Sequence, residues 1–162
     1  MTVKFSGRIP HILLVLFILF LDRWTKWLIA VRLFLNQTIP VIDGFLNITY
    51  VQNTGVAFGI LDPVQSSIKS TVLSILTIFA IIGVIVYSWR TPLSQKLLQA
   101  ALSLILAGAL GNLYDRIRYG YVIDFIEVYF RHYRWPSFNV ADSAITTGVA
   151  LLALEMFRGE RR

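Results

Sequence analysis

The chain has 162 residues, 56% of them hydrophobic and 15% charged, with 15 Lys and Arg against 9 Asp and Glu and a formal net charge of +6. That balance is too apolar for an ordinary soluble domain, and the absence of cysteine excludes disulfides, a thiolate nucleophile and a Cys-ligated metal centre. The basic residues are scattered among hydrophobic stretches rather than gathered in a patch, which argues against a nucleic-acid partner.

Crossing a hydrocarbon core of about 30 Å takes roughly 20 helical residues. The first apolar stretch, residues 12–21, follows Lys4 and Arg8 and is itself followed by Asp22, Arg23 and Lys26. A cleavable leader shares the charged start, but this stretch lacks a small-residue cleavage site and continues into a charged helix. A retained span over residues 9–28 is predicted, with the charges in its far third.

Residues 36–67 carry Asp43 and Asp62 and no base. Within them, residues 45–51 are aromatic and β-branched behind Gly44, which predicts a strand. The segment Asn53-Thr54-Gly55-Val56-Ala57-Phe58-Gly59 follows. The clearest span lies between Lys69 and Arg90, and a short basic connection leads to a second between Lys96 and Asp115. Gly108 and Gly111 there suit close helix packing.

A second strand is predicted over residues 121–130, after Gly120. Unpaired backbone is not tolerated in lipid, so the two strands should pair with each other or line a wet cavity. The last span, residues 138–157, has Asp142 near its start and Glu155 near its end. The expected fold is an all-α membrane protein, one domain over residues 1–162, with four transmembrane helices and a small β-rich cradle on the outer face.

Lys and Arg at both termini and in the short connection from Arg90 to Lys96 put those segments in the cytoplasm, and the base-free residues 36–67 outside. Trp24, Trp27, Tyr87, Trp89, Tyr129, Tyr133 and Trp135 fall near the span ends, where amphipathic rings favour the interface, and need no catalytic role.

This topology brings Asp22 and Lys26, then Asn112, Asp115 and Arg116, then Asn139 and Asp142 to one depth. Asp124 and Asn53 lie in the adjoining outer segments. Carboxylates beside a membrane span are costly, and two of them sharing a partly dry site would hold one proton between them. Such a pair performs aspartic-peptidase chemistry without metal or cofactor: the ionised member takes a proton from water, and the protonated member supports the oxyanion. His11 and His132 form no zinc motif, and no Ser is well placed against Lys or His.

The bland readings are equally concrete. Asp115 and Arg116 suit an interfacial ion pair or an anchor for the helix end, and Asp22 and Lys26, four apart, suit an intrahelical pair. On spacing and topology alone, Asp124 and Asp142 serve equally well as solvated carboxylates, with Asp142 favoured by a helix N-terminus. A proton-relay subunit or carrier would use such aspartates near the bilayer midplane, and a structural assembly factor would leave them unexplained.

The segments Asp22-Arg23-Trp24-Thr25-Lys26, Asn53 to Gly59, Gly111-Asn112 with Asp115-Arg116, Gly120, Val122, Asp124 and Phe125, and Phe138-Asn139-Val140-Ala141-Asp142-Ser143 together resemble the motifs of the bacterial lipoprotein signal peptidases, signal peptidase II. The resemblance implies a plasma-membrane aspartic endopeptidase that cuts diacylglyceryl-modified prolipoproteins before the lipidated cysteine. It implies Asp124 and Asp142 as the catalytic pair. Asn53, Gly55, Asn112, Arg116 and Asn139 would line the pocket, with Asp22 and Lys26 in support. It also implies a monomer that needs no metal, contacts membrane lipid and is inhibited by the cyclic peptide globomycin.

Overall fold

A computed structural model describes residues 5–55 and 66–159. Lys4, Val56 to Gly59, Asp62 and the C-terminal Arg161 and Arg162 lie outside the described residues. After a short 3-10 turn the chain forms α1 (Ile9–Arg32), β1 (Thr38–Ile42), β2 (Leu46–Asn53), α2 (Ser66–Arg90), α3 (Lys96–Tyr119), β3 (Val122–Phe130), β4 (Tyr133–Arg134) and α4 (Val140–Gly159).

Three of these helices are long and apolar enough to cross a membrane: residues Ile68–Arg90, Lys96–Tyr119 and Val140–Arg158. The helix α1 has 24 residues and the same reach, but carries Asp22, Arg23 and Lys26 in its C-terminal half.

The distribution of side chains is inverted relative to a soluble protein. Phe17, Phe20, Leu76, Phe79 and Phe157 are exposed, whereas the largest fully buried side chains are Lys26, Leu102, Gln99, Asn139, Asp22, Asp115 and Asp124. Apolar exteriors suit lipid, and buried polar groups persist only when they are partnered. Gln99 illustrates the rule, donating to the carbonyls of Ser88 and Thr91 and accepting from the Ser88 hydroxyl, which clamps α3 to the end of α2.

Small residues seat α4 against α3. A side chain at Gly108 would strike the Ala141 carbonyl oxygen, and one at Gly148 would lie 2.7 Å from the Ala101 carbonyl oxygen. Gly111 faces the Asp22 carboxylate and the Ala141 methyl, so the packing role expected for Gly108 and Gly111 is met, and at Gly111 it also makes room for a charge.

The sheet has antiparallel order β1-β2-β3-β4 and sits where α1 and α3 end and α4 begins. The two expected strands do pair, Asn53 opposite Val122 and Val51 opposite Asp124, with an irregularity between Ile48 and Val51. Two more were not expected. The strand β1 is exposed along its whole length and contains Pro40, and β4 has two residues, so neither shows an alternating pattern. Gly120, at φ 81°, ends α3 in a left-handed turn and sends the chain into β3.

Candidate active site

The start of α4 is built by a local signal. Asn139 occupies the N-cap: its Oδ1 accepts the Asp142 backbone N–H at 2.9 Å, and its own backbone N–H donates to Asp142 Oδ2 at 3.2 Å. This reciprocal pair is a capping box, with Asp142 in the first turn, where the helix dipole favours an anion. The next free donor of that turn, Ala141 N–H, reaches Asp22 Oδ1 across the bundle at 3.1 Å.

Asp124 arrives from β3, whose first four residues are buried. Asn139 Nδ2 donates to Asp124 Oδ1 at 2.7 Å, and Asn53 Nδ2 donates to Asp124 Oδ2 at 2.8 Å. Asn53 is held in turn by the Gly55 N–H, which reaches its Oδ1 at 2.7 Å in a turn that Gly55 makes at φ 94°. Asn139 therefore touches both aspartates.

Asp142 Oδ1 accepts Asn112 Nδ2 at 2.7 Å, and Asn112 Oδ1 accepts the Lys26 ammonium at 3.1 Å. Behind that amide lies a closed ion network. Lys26 pairs with Asp22 at 3.1 Å and Asp115 at 2.8 Å, while Arg23 pairs with Asp22 at 2.6 Å and also with Asp115. Two carboxylates thus face two cations, all from α1 and α3. Asp115 also accepts the Ile123 N–H at 3.4 Å, tying the network to β3.

The ion pair expected between Asp115 and Arg116 does not form; Asp115 is fully buried against α1 instead. Arg116, half-buried, makes no contact ion pair among the described residues but lies in electrostatic reach of Asp142, Asp124 and Asp115. The expected Asp22–Lys26 pair does form, as two members of a four-charge network. Arg23 was given no role of its own in the sequence. The signal was there: two cations and one carboxylate close together in α1 call for a second carboxylate at that depth, and Asp115 is it.

A cavity of about 240 Å³ lined by Val51, Asn53, Thr54, Asp124, Pro136 and Ser137 opens onto the Asp124 carboxylate. A larger apolar cleft of about 790 Å³ between α1 and α3 touches Arg23 and Lys26 from the other side and includes neither Asp124 nor Asp142. Burial pushes the Asp124 carboxyl up to about 6; the Asp142 charge adds to this, while the amide donors of Asn53 and Asn139 and the Lys26 charge oppose it. A carboxyl poised there can hold or release a proton near neutrality.

A family described as Signal peptidase (SPase) II matches residues 14–158. The chain belongs to the signal peptidase II family. Membership makes it a protease. Relatives named lipoprotein signal peptidase include one from Geobacter sulfurreducens, 50% identical over 144 residues, and one from Syntrophus aciditrophicus, 42% identical over 144 residues, each match covering 89% of both chains. Two solved structures titled as bacterial membrane enzymes superimpose with TM-scores of 0.82 and 0.81 at 38% and 37% identity. They cover 92% and 91% of this chain, and the matches span 88% and 92% of theirs. The fold of this signal peptidase II member is therefore that of a membrane enzyme.

Proposed function

We propose that this chain removes signal peptides from prolipoproteins, cutting before a diacylglyceryl-modified cysteine with Asp124 and Asp142 as an aspartic dyad. The observation that carries the reading is Asn139, which hydrogen-bonds a carboxylate from β3 and a carboxylate from α4 at the same time. Two such carboxylates from distant segments are not gathered around one residue, Asp124 on its side-chain amide and Asp142 on its backbone N–H, without compensation, and catalysis is what such an arrangement serves.

In the reaction the dyad holds one proton. Its ionised carboxylate draws a proton from water as the oxygen attacks the scissile carbonyl carbon; the protonated carboxyl gives its proton to the developing oxyanion. As the tetrahedral intermediate collapses and the C–N bond breaks, one dyad carboxyl gives its proton to the departing amine and the other carboxylate takes one from a hydroxyl of the intermediate, so the dyad again holds one proton. Asn53, held by Gly55, and Asn112 orient the two carboxyls, and Arg116 offsets their charge.

The same reading makes residues 1–162 one domain with α1 as a fourth span. The neutrality of the Arg23, Lys26, Asp22 and Asp115 network supports it, because four paired charges are tolerable inside a bundle where unpaired ones are not. With both termini cytoplasmic, the sheet and dyad sit near the outer face of the bacterial plasma membrane. There, a lipid anchor would deliver the scissile bond already positioned. The protein acts as a monomer, and globomycin occupies the substrate site.

The test is cleavage of a purified diacylglyceryl prolipoprotein in detergent, read by mass. The reading expects a product beginning at the lipidated cysteine, no cleavage of the unlipidated precursor and inhibition by globomycin. Cleavage elsewhere, or indifference to lipidation, contradicts it.

A further inference from the structure

An ammonium group can only donate hydrogen bonds, so whatever faces it must be an acceptor. Lys26 Nζ has three N–H bonds and three acceptors: Asp22 Oδ1 at 3.1 Å, Asp115 Oδ2 at 2.8 Å and Asn112 Oδ1 at 3.1 Å. The oxygen end of the Asn112 amide is thereby assigned, and the nitrogen end must face Asp142 Oδ1, at 2.7 Å. The other two amides at the site are held by backbone donors, Asn139 by the Asp142 N–H and Asn53 by the Gly55 N–H. Asn112 is the one held by a side-chain cation, with a longer second donor to the same oxygen, Asn139 Nδ2 at 3.3 Å.

We infer that Lys26 is a positioning residue for the reaction: by fixing the amide of Asn112 it ensures that Asp142 meets a donor there and stays ready to accept a proton from water. The inference deepens the dyad reading and rests on it. Without the ammonium only the longer Asn139 contact opposes a turn of the amide about its terminal torsion, which has a roughly two-fold profile, and the turned amide presents oxygen to Asp142. A carbonyl facing a carboxyl oxygen is satisfied only if that carboxyl is protonated, which removes the base.

Asp142 is also faced by Asp22 from α1, Arg116 from α3 and Asp124 from β3, so its ionisation is not set by Lys26 alone. What distinguishes Lys26 is that it acts through an amide with two orientations. Its loss should change the pH dependence of turnover and not merely its amplitude.

The experiment compares pH–rate profiles of kcat/KM on a diacylglyceryl prolipoprotein. Lys26→Met alone strands two buried carboxylates on one arginine, so the principal variant is Lys26→Met with Asp115→Asn, which keeps the network neutral; Asp115→Asn alone is the control. The inference expects the acidic limb of the paired variant to move up by about one to two pH units, the worth of one hydrogen bond to a charged acceptor. The control, which leaves the network one positive charge in excess, does not move the limb up. Asn112→Leu, which removes the same donor and also one of the three acceptors of Lys26 while leaving all four charges in place, should displace the limb in the same direction.

An unmoved limb in a folded paired variant, with activity lowered equally at every pH, overturns the inference. Should the paired variant fail to fold, an unmoved limb in Asn112→Leu overturns it as well. Asp142→Asn separates this from the reading beneath it: turnover retained there removes the dyad, whereas an inactive Asp142→Asn with unmoved limbs elsewhere removes only the role of Lys26.

Discussion

Asn139 and Asp142 cap each other, amide oxygen to backbone N–H at 2.9 Å and backbone N–H to carboxylate at 3.2 Å, and the free end of the same amide reaches Asp124 at 2.7 Å. A local helix-start device and a long-range active-site contact are therefore one side chain. Asn139→Ser separates them. Serine keeps the cap, so unfolding temperature should change little, but it is too short to reach Asp124, and kcat/KM should fall about 10- to 100-fold. An equal loss of stability and activity would make Asn139 a cap and nothing more.

Asp124 gives stability a pH dependence of known sign. Its carboxyl titrates at about 6 when folded and about 3.9 when unfolded. Between those values the folded chain binds more protons, so this group's contribution to stability falls as pH rises from about 4 to about 6 and is level beyond. In detergent, the unfolding temperature of Asp124→Asn relative to wild type should rise across that window. A constant difference would place the Asp124 titration elsewhere.

The buried ion network and the surface ion pair should respond to truncation with losses of very different size. Asp115→Ala leaves Arg23 and Lys26 sharing one carboxylate in a dry site and should cost about 3–5 kcal/mol. Arg134→Ala removes the pairing with Glu127 at a position where Arg134 is 67% exposed, and should cost less than about 1 kcal/mol. Thermal unfolding of the two variants measures the contrast.

Two glycines differ in the same manner. Gly83 has open space where a Cβ would stand, within α2, so Gly83→Ala should stabilise by about 0.5–1 kcal/mol through helix propensity. At Gly108 the methyl meets the backbone oxygen of Ala141, which cannot move without α4, and Gly108→Ala should destabilise by about 1–3 kcal/mol. Comparable effects at both positions would rule out the tight seat of α4 on α3.

Much of this was legible in the sequence, for a physical reason. Residues 69–90, 96–115 and 138–157 read as membrane-length helices because lipid demands long charge-free runs, and α2, α3 and α4 match them. The strand pair was legible because residues 45–51 and 121–130 are dense in aromatic and β-branched residues. The strand β1 was not, since it has no buried face to impose a period, and β4 is too short to show one. At the site, the polar residues could be brought to one depth by topology, but their pairing could not. Spacing pairs Asp115 with its neighbour Arg116, whereas its partners Arg23 and Lys26 lie about ninety residues upstream. Amide orientation is set by such partners, so no spacing rule could have given the direction of Asn112.

The measurement closest to the central claim is turnover of a diacylglyceryl prolipoprotein by wild type, Asp124→Asn and Asp142→Asn, each purified and shown to be folded. The account predicts that wild type releases the signal peptide and that neither variant does, since each lacks one half of the proton exchange. Turnover by either folded variant at a rate near wild type would contradict it.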